Sequence, residues 1–410
     1  MRTLRLAALS LILSAPALAQ PPQGRATSAK PRVVAPATLS PAPLLSIDSE
    51  ARWVPFDLTP GNQIAFKTTV NGRAATAVLD TGVNFTLVSK AFAATLGLKP
   101  TASGQATAIG GALAISWAPV ETIGFGGLSR AGGRMGVADL SALATGTATP
   151  VEMVVGADLL AQHALDIDFD NRRFRMIPSG RMPFRGTSVP LAIQPQSGVF
   201  MVAMTVGAAT LRPLMLDTGD GAFLTLSRES WRTTKLPDVG MTSAYAVGLA
   251  GPVETDLAVL PAVRVGFLTA RNIEVRVEPL KGYSTLTGTA GRVGTGLLQR
   301  YRVLLDPRAR RMILSPGRTA DTLPLKSTSG LLLSYEGQAL RVVHVMKNSP
   351  AAATGWAAGE RICAIDGAKL PADYRASKLG MWPAGTPGRV VRLGLCDGGP
   401  ERSLTLASFY

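Results

Sequence analysis

Histidine is almost missing from this chain, with His163 and His344 alone in 410 residues, and cysteine is as scarce, with only Cys363 and Cys396. A Cys/His zinc site has too few ligands to draw on, and neither a Cys-x-x-Cys pair nor a His-Glu-x-x-His stretch occurs. There is no Gly-x-Ser-x-Gly elbow, so a histidine-based serine triad is not indicated. No block of Lys or Arg occurs although the formal net charge is +15, and the basic residues do not alternate with aromatics. That scatter describes a basic surface and argues against a nucleic-acid track. Long apolar runs are also lacking. The one at the start, in "MRTLRLAALSLILSAPALAQ", is too short for a comfortable membrane span.

That start reads as a secretory signal peptide, 1–19. Arg2 and Arg5 precede the apolar run, and Ala17-Leu18-Ala19 forms a small-x-small cleavage site before Gln20. Gln rather than Cys after the cut gives no indication of a lipid anchor. The mature chain is expected outside the cytoplasm, periplasmic or secreted, with no transmembrane segment. In such a compartment Cys363 and Cys396 either pair as one disulfide or stay as buried free thiols; spacing alone leaves both open.

The remaining composition, 46% hydrophobic with 43 Gly and 29 Pro, describes a folded, turn-rich protein. Residues 20–50 are rich in Pro, Ala and Ser and are expected to be a flexible leader. Beyond them, short β-branched runs such as "QIAFKTTV" and "FTLVSKAF" are broken by Gly, Asn and Pro, the texture of strands. One stretch, "VEMVVGADLLAQHAL", is long enough to suggest a helix.

Two stretches match. Residues 77–89 read "AVLDTGVNFTLVS" and residues 214–227 read "LMLDTGDGAFLTLS". Asp217 lies 137 positions after Asp80. Farther on, "VVGADLL" at 154–160 recurs as "RVGTGLL" at 292–298, and Gly294 lies 138 positions after Gly156. Two motifs repeating at nearly one offset indicate a duplication, with lobes at 51–182 and 183–320. A shared scaffold turn explains the repeated apolar positions but not why the acidic residue recurs in both copies. Two such carboxylates facing each other would share a proton and titrate as a pair. One would take a proton from water while the other donates to a carbonyl, hydrolysing an amide without metal or cofactor. Thr81 and Thr218 would brace the turns, and Gly82 and Gly219 would let the backbones come close.

These paired motifs, with the downstream Val154-Val155-Gly156, resemble the aspartic peptidases, specifically the retropepsin-like group. The resemblance covers about 270 residues and places both halves in one chain, as in pepsin-like enzymes. It implies that Asp80 and Asp217 are the catalytic pair, supported by Thr81, Gly82, Thr218 and Gly219, and that the substrate is a protein or peptide. It also implies a flap. "QATAIGGALAISW" (105–117), with Gly110 and Gly111 at its tip, has the required Gly-rich turn, and "AYAVGLAGPVETDL" (244–257) is its counterpart. The chain departs from the family in having Val83 and Asp220 where Ala, Ser or Thr usually follows Asp-Thr-Gly.

Residues 325–410 break the pattern. "NSPAAATGWAAGERICAIDG" resembles a PDZ domain of the bacterial protease type, with Glu360 in place of the usual Asp. The resemblance implies capture of peptide C-termini by strand addition, with the carboxylate loop near Gly330, Leu331 and Leu332. The expected fold is mainly β: a bilobal aspartic-protease-like double β-barrel plus a small α+β PDZ domain. The expected function is an exported aspartic endopeptidase; the alternative is a non-catalytic peptide-binding or scaffold protein that kept the fold.

Overall fold

The structure is a computed structural model, and it describes residues 40–144, 150–236, 239–374 and 377–410. The expected signal peptide and residues 20–39 of the expected leader lie outside the described residues. The chain is mainly β, as expected.

In its first part run β1 (Leu44–Leu45), β2 (Val54–Leu58), β3 (Ile64–Val70), β4 (Arg73–Leu79), β5 (Leu87–Ser89), α1 (Lys90–Thr95), β6 (Ala102–Ala108) and β7 (Gly111–Pro119). They continue as β8 (Thr122–Phe125), β9 (Leu128–Ala131), β10 (Arg134–Ala138), β11 (Met153–Val155), α2 (Ala157–Leu160), β12 (Ala164–Asp168) and β13 (Arg173–Ile177). Alternation is plain in β3, where Ile64, Phe66, Thr68 and Val70 turn inward. Within this sheet the strand order is β3-β4-β11-β5-β10-β7-β6.

The second part contains β14 (Thr187–Pro190), β15 (Ala192–Ile193), β16 (Phe200–Val206), β17 (Ala209–Asp217), β18 (Leu224–Leu226), α3 (Arg228–Thr233), β19 (Thr242–Gly248) and β20 (Gly251–Val265). After them come β21 (Leu268–Val277), α4 (Tyr283–Leu286), β22 (Gly291–Gly294), α5 (Thr295–Leu298), β23 (Tyr301–Asp306) and β24 (Arg311–Pro316). Their order, β16-β17-β22-β18-β21-β20-β19, repeats the first one strand for strand. Ser89 and Ser227 cap the equivalent helices α1 and α3, accepting from Phe92 N–H and Ser230 N–H. The copies are tied at their backs, where β12 pairs antiparallel with β23. One continuous apolar core runs through both, from Phe66 and Leu79 to Leu216 and Val275.

Two readings change. Residues 44–45 of the expected leader form β1, paired with β9, and Pro43 O meets His163 Nε2 at 3.0 Å. A two-residue strand shows no periodicity, so the sequence hides it. The expected helix in 151–165 is instead β11, one turn of helix and β12. Met153, Val154 and Val155 satisfy their backbone groups against β4 and β5, and the helix waits until Gly156 has passed.

The C-terminal sheet is separate, with its own core around Trp356, Trp382 and Val391. Its strands are β25 (Leu331–Tyr335), β26 (Leu340–Val345), β27 (Arg361–Ile365), β28 (Ala368–Lys369), β29 (Val390–Leu395) and β30 (Arg402–Thr405), with α6 (Pro350–Ala353) capped by Ser349. Cys363 and Cys396 are disulfide-bonded between β27 and the end of β29, settling the choice that spacing left open.

Candidate active site

β4 runs straight into Asp80, whose N–H donates to Val155 O at 3.0 Å, and β17 ends on Asp217, in register with Gly294. Each aspartate folds back on its own turn. Gly82 N–H donates to Asp80 Oδ1 at 2.8 Å, and Gly219 N–H donates to Asp217 Oδ1 at 3.0 Å. The turns then lock together. Thr81 N–H donates to Thr218 Oγ1 at 3.0 Å and Thr218 N–H to Thr81 Oγ1 at 3.1 Å. The hydroxyls donate onward, Thr81 to Leu216 O at 2.7 Å and Thr218 to Leu79 O at 2.8 Å. A β-carbon on Gly82 would sit 2.5 Å from Asp217 Cγ, and one on Gly219 would overlap the Asp80 carboxylate. Glycine is therefore required at both places, and each carboxylate lies against the opposite turn.

The two carboxyl groups interact across the turns, each lying against the other's glycine. Burial is the main cause holding both above the ordinary carboxylate range, and the nearby Asp220 charge adds to it. Asp217 is raised further than Asp80. It bears the repulsion of Asp80 as well as of Asp220, only partly offset by Arg292. Two carboxyl groups held this way share one proton.

Two hairpins meet beside the Asp80 turn. β6 and β7 meet at Ile109 and Gly110; β19 and β20 meet at Leu249 and Ala250. The tips touch, with Ala250 N–H donating to Ile109 O at 3.1 Å. Gly110 has φ +96°, and a β-carbon there would come 2.6 Å from Gly251 O. Gly111, at φ +142°, opens β7 directly behind the tip. Ala106, Ala108, Leu113 and Leu249 share one apolar cluster with Val83, which anchors both hairpins to the Asp80 turn.

Residues 66–159 match a family model described as aspartyl protease.

The matched segment spans β3 to α2 and so contains the Asp80 turn, the first hairpin and Gly156. It supports an aspartyl protease-like domain there. No curated protein matches the chain. The second copy of the strand order lies outside the match and supplies Asp217.

Several residues that hold this protease-like site escaped the sequence reading. Gln63 Nε2 donates to Gly219 O at 3.0 Å and Asn62 Nδ2 to Gly221 O at 3.2 Å, so a loop of the first copy clamps the turn of the second. Thr295 Oγ1 donates to Thr218 O at 2.9 Å. The largest omission is Arg292, which is fully buried. Its Nε lies 3.1 Å from Asp220 Oδ2 and 3.6 Å from Asp217 Oδ2, and a terminal nitrogen lies 2.6 Å from Glu278 Oε1. Burial opposes the Arg292 cation, but Asp220, Glu278 and Asp217 together hold it charged. Burial likewise opposes the Asp220 charge, and Arg292 with the Ala222 N–H outweighs it, so Asp220 stays below its ordinary value. The one signal in the sequence was Asp220 itself, an acid in an apolar context.

The histidines are engaged away from the pair, His163 with Pro43 and His344 with Ser243 Oγ at 2.7 Å. Among the described residues, no group of three or more His, Cys, Asp or Glu is arranged to hold a metal. In the C-terminal sheet, Gly330 N–H donates to Ser327 Oγ at 3.0 Å and Leu331 N–H to Ser329 Oγ at 3.1 Å. Leu332 lies on β25, which pairs only with β26 among the described residues, leaving its other edge open. This module also grips the base of the second hairpin. Thr242 Oγ1 donates to Lys347 O at 2.6 Å, and Tyr245 stacks on His344 with ring centres 4.5 Å apart.

Proposed function

We propose that this protein is an exported aspartic endopeptidase with two lobes, 51–182 and 183–320, and a C-terminal PDZ domain, 325–410. The observation that carries the reading is the reciprocal seating of Asp80 and Asp217, each against the other's glycine and both braced by Thr81 and Thr218. In the proposed reaction the ionised Asp80 takes a proton from a water held between the carboxylates, and the oxygen attacks the peptide carbonyl. Asp217 donates its proton to the carbonyl oxygen, giving a neutral tetrahedral diol. Collapse returns a proton to Asp217 from the diol, while Asp80 passes its proton to the leaving amine. Closed hairpins would keep bulk water away from this exchange.

Export rests on the leader "MRTLRLAALSLILSAPALAQ", and the Cys363–Cys396 disulfide favours an oxidising compartment. Peptide capture by the C-terminal module rests on the open β25 edge beside Gly330, Leu331 and Leu332. A terminal carboxylate there would displace the Ser327 or Ser329 hydroxyl from its amide.

The test is a digest of a peptide library by purified protein across a pH series. Cleavage that a statine-type transition-state mimic stops, that chelators leave alone and that Asp80→Asn and Asp217→Asn each abolish supports the reading. Binding of peptides without cleavage at any pH rejects it and leaves a peptide-binding scaffold.

A further inference from the structure

The two copies carry different side chains around the carboxyl pair. Ala157 N–H donates to Val83 O and Thr295 N–H to Asp220 O, so Val83 and Asp220 are equivalent. Val154 pairs with Val78 and Leu87, whereas Arg292 pairs with Met215 and Thr225, which equates Val154 with Arg292 and Leu87 with Thr225. Val137 pairs with Val88 and Val277 with Leu226, so the next residues, Ala138 and Glu278, correspond too. Four neighbouring positions are thus apolar in the first copy and polar in the second. Val83, Leu87, Ala138 and Val154 pack together; Asp220, Thr225, Glu278 and Arg292 bond together.

Such a replacement has no obvious use for stability, because buried ion networks are commonly no more stabilising than apolar residues of similar volume. The first copy shows that this fold accepts the apolar version. The trio's charges do not cancel: Asp220 and Glu278 oppose one cation, leaving one net negative charge beside Asp217. The other titratable or charged groups around it are Asp80 across the pair, Tyr283 on α4 below the Arg292 guanidinium, and Arg276 on β21 towards Asp220, whose charge is matched by Glu274 at 3.5 Å.

We propose that Asp220, Arg292 and Glu278 form a positioning device that assigns the shared proton of the pair to Asp217, leaves Asp80 as the base, and holds that arrangement to higher pH than an apolar surround would. This rests on the peptidase reading for its purpose but not for its test. Arg292 keeps Asp220 ionised within the buried site; Asp220 and Glu278 together offset the pull of Arg292 on Asp217. Loss of the last proton of the pair would add a third net negative charge to that of the trio and that of Asp80 in the same buried volume, so the proton is retained.

The experiment is a carbon-13 titration of the labelled aspartate carboxyls in full-length protein, run beside the pH profile of kcat/KM. Asp220→Asn removes one negative charge and keeps the side chain's shape. It is expected to move the upper titration midpoint of the pair, and the alkaline edge of activity, down by about one pH unit or more. Glu278→Gln is expected to move both in the same direction, which keeps the test alive if one variant fails to fold. Arg292→Lys, which keeps the charge, is expected to stay close to the wild-type midpoints. Midpoints that do not move in folded Asp220→Asn or Glu278→Gln overturn the proposal and reduce the trio to scaffolding. A wild-type protein that cleaves nothing but shows the shifted carboxyl midpoints sinks the peptidase reading and leaves this one standing.

Discussion

Thr81 and Thr218 exchange hydrogen bonds across the boundary between the copies, each hydroxyl accepting the other's backbone N–H and donating to the carbonyl just before the opposite aspartate. Both side chains are fully buried. The carboxyl pair therefore has no freedom to slide, because its two turns are one hydrogen-bonded unit.

Thr81→Ala removes two of these bonds and leaves an N–H and a carbonyl buried without partners. The expected loss is about 2–4 kcal/mol of unfolding free energy, read by urea denaturation. Thr81→Ser keeps the hydroxyl and should lose about 1 kcal/mol or less. Thr81→Ala and Thr218→Ala combined should cost less than the sum of the two, because both hydroxyls brace the same two turns and losing either already loosens the bonds of the other. Strict additivity would show that the brace is not a unit.

Asp217→Asn is expected to abolish hydrolysis and yet raise stability at neutral pH. The folded-state acidity of Asp217 is weakened mainly by burial, so its affinity for protons exceeds that of the unfolded chain. The stability this contributes is complete below the ordinary value of 3.8 and is lost as pH rises through the folded value. Asparagine carries no charge and escapes that loss. Melting temperatures measured from pH 3 upward should show the variant level with wild type at the acid end and above it at neutral pH. A variant less stable than wild type at pH 7 would contradict the buried shared proton.

Gly110→Ala tests the meeting of the hairpins. The new methyl would press on Gly251 O in a backbone conformation that alanine resists. The tips should part, with kcat/KM for peptides falling by tenfold or more while global unfolding changes by about 1 kcal/mol. Faster proteolytic nicking at 109–110 should accompany it. Unchanged kinetics would mean that tip contact has no part in turnover.

His344 links the C-terminal module to the second hairpin and is buried against Ser243 and Tyr245. Burial holds its imidazole below the ordinary value of 6.5. The contact is therefore complete above 6.5 and is lost as pH falls through the lower folded value. Protection of the β19 amides from hydrogen exchange, with the intrinsic pH dependence of exchange divided out, should fall between pH 7 and pH 5 in wild type. His344→Phe, which keeps a stacking ring and cannot titrate, should flatten that dependence. Equal loss of protection in both proteins would place the sensitive group elsewhere.

Much of this molecule is written locally. Alternating residues fix which face of β3 turns inward, Ser89 and Ser227 start their helices, and glycines mark the tip at Gly110. The duplicated Asp-Thr-Gly turns announce a carboxylate pair, because an acid has no reason to recur in matched apolar settings unless the copies use it together. What the sequence does not carry is which distant residues meet. Arg292 reaches Asp220 from 72 positions away only because β22 lies between β17 and β18. Gln63 reaches Gly219 across the copies, and the amides of Gly330 and Leu331 find serine hydroxyls within their own loop. Periodicity sets faces and turn residues set bends; strand order decides which buried charges become neighbours. The same order in both copies carries one position to each Asp-Thr-Gly turn, and the residue standing there, Val154 in the first copy and Arg292 in the second, decides whether the neighbour is an apolar wall or a buried cation.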